Sequence, residues 1–190
     1  MKIIVHSKNM NEDVLKVLIS REELEAQISR LGADITRDYA GKKPIFIGIL
    51  KGCFIFMADL LRNVELYCDM DFMAVSSYGD GTNTTGAVKI TKDLSRDIAG
   101  RDVIIIEDIL DSGVTLSYLM DYLQIRSPAS IKIATLLDKP SRRRAPITPD
   151  YCGFSVPDEF VVGYGLDFAE EYRNLPYIGV LKPEVYSEQI

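Results

Sequence analysis

Five short apolar runs constrain this chain more than any other feature: residues 45–50, 72–75, 103–106, 131–137 and 160–162. They are too short for buried helices, and several are rich in β-branched residues, which suit strands. Helical patterns separate some of them. Residues 54–61 follow the first run, and Leu116, Leu119, Met120 and Leu123 follow the third. Near-continuous apolar strands alternating with helices predict an α/β fold, a buried parallel sheet flanked by helices. In such sheets ligands sit beyond the carboxyl ends of the strands. Upstream, Ser20 and Glu23 form a capping box, and Leu24, Ile28, Leu31 and Ile35 recur at helical spacing. That predicts a helix from Arg21 to about Tyr39, ended by Gly41 and Pro44.

A chain of 190 residues can bury one substantial core, so a single domain is expected over residues 1–190. The net charge of −6 argues against a nucleic-acid binder, which carries a basic footprint. No apolar run is long enough to cross a bilayer, and residues 1–11 lack the pattern of a secretory signal, so no membrane association is expected. Cys53, Cys68 and Cys152 are odd in number and form no CxxC pair, which points to a reducing cytoplasm rather than a disulfide framework or zinc site. The single histidine, His6, sits among apolar residues near the start, which leaves acid–base work to carboxylates, tyrosine or lysine.

The segment 103–116, VIIIEDILDSGVTL, carries the strongest chemical signal. A buried strand runs directly into two carboxylates, Glu107 and Asp108. A small-residue turn with a third, Asp111, then opens a helix. Carboxylates at the tip of an apolar strand need partners, and ribose hydroxyls or a hydrated Mg²⁺ are suitable. The turn offers backbone amides at a helix N-terminus, with Gly113 allowing close approach and Ser112 and Thr115 adding hydroxyls. Together these make an anion site for one phosphate. Helix capping by Asp111 and Ser112 would not account for Glu107 and Asp108.

This segment resembles the phosphoribosyl pyrophosphate signature of type I phosphoribosyltransferases, and residues from about 45 to 181 resemble the hypoxanthine-guanine branch of that family. The resemblance implies Asp111 as general base toward the purine N7. It implies Glu107 and Asp108 at the ribose and magnesium, and Ser112, Gly113, Val114 and Thr115 around the 5′-phosphate. Val114 stands where some members carry lysine, a departure that leaves the backbone amides to hold the phosphate. Lys51 and Gly52 match a pyrophosphate loop that uses a cis peptide before the lysine, and Arg173 matches a pyrophosphate-contacting arginine. Read alone, Lys51-Gly52 is an ordinary strand-to-helix turn.

Lys139 ends another core strand and matches a lysine that donates to the purine 6-oxo group. An ammonium can only donate, which favours a 6-oxopurine over adenine. Phe160 would stack on the base, Val161 would read it through its backbone, and Asp167 would lie near the C2 side and a second magnesium. Without the resemblance, Phe160 and Val161 read as strand core. Ser77 and Tyr78 match the start of the family's mobile lid. The polar, glycine-rich segment 78–91 reads from its composition alone as either disordered or a working lid. Arg142, Arg143 and Arg144 read as a solvated loop or a subunit contact.

The expected architecture is a core of about residues 20–140 and a small hood over the purine, built from the N-terminal segment and about 150–190. The implied cofactor is Mg²⁺, the implied substrates phosphoribosyl pyrophosphate and a 6-oxopurine, and the implied assembly a homodimer or homotetramer. Two rivals stay open: a regulator that senses the sugar pyrophosphate without turnover, and an enzyme preferring xanthine or another base.

Overall fold

The computed structural model describes residues 9–77 and 88–187. Six strands form the main sheet: β2 (Ile45–Leu50), β3 (Asp69–Ser77), β4 (Val88–Lys92), β5 (Asp102–Leu110), β6 (Ser130–Asp138) and β7 (Tyr151–Ser155). Their order is β4-β3-β2-β5-β6-β7. All neighbours are parallel except β3 and β4, so the sheet is mixed, with its antiparallel strand at one edge. Strand β7 lies beyond residue 140 and still joins this sheet.

A second, three-stranded sheet forms the hood. It comprises β1 (Val14–Ile19), β8 (Val161–Val162) and β9 (Ile178–Leu181) in the order β1-β9-β8, all antiparallel. The fifth apolar run therefore belongs to the hood, not to the parallel sheet. Its two paired residues are buried by β9, whose four residues are all buried. A run that short is apolar in either setting, so hydropathy could not assign its sheet.

Burial explains the other runs. Along β2 the period-two alternation sends Ile45, Ile47 and Ile49 to one face and Phe46 to the other. Helix α3 (Val114–Gln124) covers the first face with Leu116, Leu119 and Leu123. Helices α1 (Arg21–Asp38) and α2 (Phe54–Arg62) cover the second with Leu24, Ile28, Leu31, Phe56 and Leu60. Both faces being covered is why these strands lack polar alternation. The capping box is present as the sequence predicts: Ser20 Oγ accepts from the Glu23 amide at 3.3 Å, and Glu23 Oε2 accepts from the Ser20 amide at 2.8 Å. The hood docks on the same face as α1 and α2, through Val161, Tyr164, Leu166, Ile178 and Val180. A short helix, α4 (Pro183–Tyr186), closes the described chain.

Candidate active site

The site lies at the carboxyl ends of β2 and β5, where the sheet physics places ligands. A cavity of about 260 Å³ is lined by Leu50, Lys51 and Gly52 on one side and by Glu107, Asp108, Asp111, Ser112, Gly113 and Thr115 on the other. A larger cavity, about 590 Å³, lies between α1, α2 and the hood and is lined by none of the candidate catalytic or binding residues named from the sequence.

Strand β5 is fully buried from Val103 to Ile106 and drives the Glu107–Asp108 pair into the cavity. Burial, the adjacent Asp108 charge and a hydrogen bond between the two carboxyls push Glu107 well above the usual carboxylate range. Burial raises Asp108 as well, opposed in part by the charge of Arg173. Two acidic groups this poorly solvated await a cationic or hydroxylic partner. The Asp108 carboxylate also abuts the pyrophosphate-type loop. A Cβ on Gly52 would lie 1.7 Å from Asp108 Oδ2, so only glycine fits there. The Leu50–Lys51 peptide before it is cis.

The turn after β5 is open at its helix end. Gly113 takes φ +76° and caps α3 without any side-chain hydrogen bond to the first turn. Ser112 Oγ reaches only the Val114 amide, at 3.4 Å. The first-turn amides therefore keep their capacity for an anion. Val114 is exposed and absent from the cavity wall, so any contribution at that position comes from its backbone. Asp111 Oδ1 is buried, accepts no hydrogen bond, and lies 3.3 Å from Arg142 Nε. A carboxylate oxygen in a cavity wall that is ion-paired but accepts no hydrogen bond can still accept one from a ligand.

The arginine run is not a solvated loop throughout. Arg143 is part-buried and donates to the carbonyls of Leu110, Asp111 and Ile147, at 3.3, 3.2 and 2.9 Å, and to the Asp138 carboxylate. The amides of Arg144 and Ala145 donate to the Ser112 carbonyl, at 2.9 and 3.1 Å. Arg142 joins Asp111 to Asp158. Three consecutive arginines carry no period that separates a buried one from its exposed neighbours, so the sequence does not flag this clamp.

The hood brings a second group of residues. Lys139 is only 5% exposed and donates to the Glu159 carbonyl at 2.9 Å, with Asp158 at 3.8 Å. An ammonium has three donors, so capacity remains for a ligand acceptor. Phe160 stacks on Tyr186 at 4.8 Å, meets Phe168 edge-on at 5.6 Å, and is 40% exposed. Val161 is buried, but β8 is an edge strand, which leaves backbone groups outside the ladder. Arg173 donates to the Gly165 carbonyl at 2.8 Å and pairs with Asp167 at 2.9 Å, while its Nε is buried without a partner. Gly165 rests on the loop below: a Cβ there would lie 2.1 Å from the Gly52 carbonyl oxygen.

The structure thus brings Lys51, Gly52, Glu107, Asp108 and Asp111 to Thr115 together, and sets Lys139, Phe160, Val161, Asp167 and Arg173 in or against the hood. It does not place Asp167 with the Glu107–Asp108 pair. Among the described residues no three His, Cys, Asp or Glu side chains converge as a metal cage. Ser77 is the last described residue of β3, and Tyr78 and His6 lie outside the described residues.

Comparison with known proteins agrees with this geometry. Residues 19–169 match the family described as the phosphoribosyl transferase domain. The hypoxanthine-guanine phosphoribosyltransferase of Bacillus subtilis is 59% identical over 177 residues, covering 93% of this chain and 98% of the relative. A crystal structure of a hypoxanthine phosphoribosyltransferase from Staphylococcus aureus superposes with a TM-score of 0.91 at 51% identity, covering 95% of this chain and 99% of that one. The bifunctional protein TilS/HprT of Listeria monocytogenes is 58% identical over 182 residues, which is 96% of this chain but only 28% of that protein's length.

Proposed function

The chain belongs to the phosphoribosyltransferase family, in its hypoxanthine-guanine branch, and on that premise we propose that it salvages purines by moving the 5-phosphoribosyl group of phosphoribosyl pyrophosphate to N9 of hypoxanthine or guanine, giving IMP or GMP and pyrophosphate. The observation that carries this reading is the single cavity in which the buried carboxylate pair, the open helix N-terminus and the Lys51–Gly52 loop face one another. A sugar bearing a phosphate at one end and a diphosphate at the other has matching partners on those three walls.

In this reading the amides from Ser112 to Thr115 grip the 5′-phosphate. Glu107 and Asp108 hold the ribose hydroxyls. Lys51, the Gly52 backbone and Arg173 receive the pyrophosphate. Lys139 donates a hydrogen bond from one of its remaining N–H groups to the 6-oxo group, Phe160 stacks on the base, and the edge of Val161 meets it through the backbone. Asp111 accepts the N7 proton on its carboxylate as N9 closes on C1′. Ser77 and Tyr78 would begin a lid that keeps water from the reacting carbon.

Mg²⁺ fits the donor set. Glu107 and Asp108 are hard oxygen donors, and Mg²⁺ commonly keeps its waters and takes substrate oxygens instead of a full protein cage. When bound it supplies positive charge against the departing pyrophosphate. Asp167 would serve a second ion from the hood. Three free cysteines fit a cytoplasmic setting, and no helix among the described residues is long and apolar enough to cross a membrane. The family resemblance implies a homodimer or homotetramer, and we read residues 1–190 as one catalytic unit.

The test is a panel of assays. Protein, Mg²⁺ and phosphoribosyl pyrophosphate are mixed separately with hypoxanthine, guanine, xanthine and adenine. Nucleotide is expected from the first two. Formation from adenine alone would overturn the role of Lys139, and formation from none would overturn the reading itself.

A further inference from the structure

Lys51 and Arg173, the two cations assigned above to pyrophosphate, already share an anion. The Glu170 carboxylate places Oε2 2.8 Å from Lys51 Nζ and Oε1 3.5 Å from Arg173 Nη2. Lys51 comes from the loop after β2 and Arg173 from the hood, so this side chain also ties the two halves of the site together. One oxygen on each cation is the pattern that neighbouring oxygens of a diphosphate would present.

We propose that Glu170 is a built-in stand-in for pyrophosphate: it holds Lys51 and Arg173 when the diphosphate position is vacant, leaves as the diphosphate enters, and returns as product departs. It thereby sets how tightly pyrophosphate and phosphoribosyl pyrophosphate are held. The inference rests on the assignment of Lys51 and Arg173 to the diphosphate.

The turn that carries Glu170 is built, not a loose end. Ala169, Glu170 and Tyr172 take φ of 52°, 68° and 69°, the left-handed region that non-glycine residues avoid. Such conformations persist where surrounding contacts fix them. Here the Glu170 amide donates to Asp167 Oδ2 at 2.9 Å, and Phe168 and Glu171 exchange backbone hydrogen bonds at 3.2 and 3.0 Å. The hydrogen bond from Lys51 keeps the Glu170 carboxyl below the usual carboxylate range, so it is ionised near neutral pH. Both partners of the Lys51 pair are nonetheless exposed, 67% and 64%. Exposed pairs are weak, so a diphosphate, with more charge and more acceptors, can displace this one. Arg173 stays fixed by Gly165 and Asp167 whether or not Glu170 remains.

The experiment compares the full-length protein with Glu170→Gln, Lys51→Met and the double variant. The readouts are the inhibition constant of pyrophosphate against phosphoribosyl pyrophosphate, and direct pyrophosphate binding by calorimetry with Mg²⁺ present. Glu170→Gln is expected to tighten pyrophosphate roughly two- to fivefold and to leave the KM for hypoxanthine unchanged. In the Lys51→Met background the same substitution should have a smaller effect, carried by Arg173 alone. Unchanged or weaker pyrophosphate binding in Glu170→Gln overturns the proposal. So does tightening that is undiminished without Lys51, which would make the effect diffuse charge repulsion. A wild-type protein that forms no nucleotide, or binds no pyrophosphate, instead overturns the assignment on which the proposal stands.

Discussion

Two residues bear the most specific chemical demands. Asp111 offers a buried oxygen that accepts no hydrogen bond and is ion-paired with Arg142 at 3.3 Å, and general bases contribute about 10²–10⁴-fold. Asp111→Asn keeps the size and the hydrogen-bonding shape but cannot take the N7 proton at neutral pH. Turnover should therefore fall by about that factor while phosphoribosyl pyrophosphate binding, measured by calorimetry, stays within a few-fold. Near-normal turnover would remove Asp111 from its role. Gly52 is constrained by its neighbour rather than by its own backbone: a Cβ would meet Asp108 Oδ2 at 1.7 Å. Gly52→Ala must push the carboxylate out of the cavity wall. A displacement near 1 Å costs on the order of 10²-fold in a positioned site, so kcat/KM for phosphoribosyl pyrophosphate should drop by that order with the fold intact by circular dichroism. Neither demand could be read from the sequence alone. Asp111 is recognisable beside Glu107 and Asp108, but its ion pair with Arg142 and its place in the cavity wall are properties of three dimensions. Gly52 looked like any glycine in a turn.

Legibility at the scale of elements followed burial. Strands β2, β5 and β6 are covered on both faces, so they appear as apolar runs with nothing else to explain them. Strand β1 exposes Leu15 and Val17 without alternation, β4 holds an edge with exposed lysine, and β7 is half-buried up to an exposed Ser155, so none of these stands out in the sequence. The same limit hid Arg143, which links the carboxyl ends of β5 and β6 by bonding Leu110, Asp111 and Asp138 together. Those two strand ends carry the phosphate turn and Lys139. Arg143→Ala would take this donor from the Asp138 carboxylate and from the Asp111 and Ile147 carbonyls in a part-buried setting, a loss of about 2–4 kcal/mol. Urea unfolding should report it as a lower midpoint at unchanged slope. The KM values for phosphoribosyl pyrophosphate and for hypoxanthine should rise together, because one clamp sets both loops. A rise in only one would mean the strands hold their spacing without it.

At the scale of the molecule, the sugar phosphate and the base are assigned to different bodies. The main sheet supplies the carboxylates and the anion turn, the hood supplies Phe160, Val161 and Arg173, and Lys139 bonds from one to the other at Glu159. The reaction joins C1′ of one ligand to N9 of the other, so its rate depends on how closely the bodies are seated. Gly165 governs that seating. It takes φ +105° and lies so near the Gly52 carbonyl that a Cβ would come within 2.1 Å of the oxygen, with backbone on both sides of the contact. In Gly165→Ala the hood must lift or the pyrophosphate loop must shift. The base keeps Phe160 and Val161, so the KM for hypoxanthine should change only a few-fold, whereas the KM for phosphoribosyl pyrophosphate should also register the separation of Arg173 from Lys51. The distance between the reacting atoms grows, and kcat should fall on the order of 10²-fold. Steady-state kinetics with each substrate varied in turn separates these effects. A raised hypoxanthine KM with kcat preserved would show that substrate closure re-seats the hood by itself, and that the Gly165–Gly52 contact has no part in aligning the two ligands.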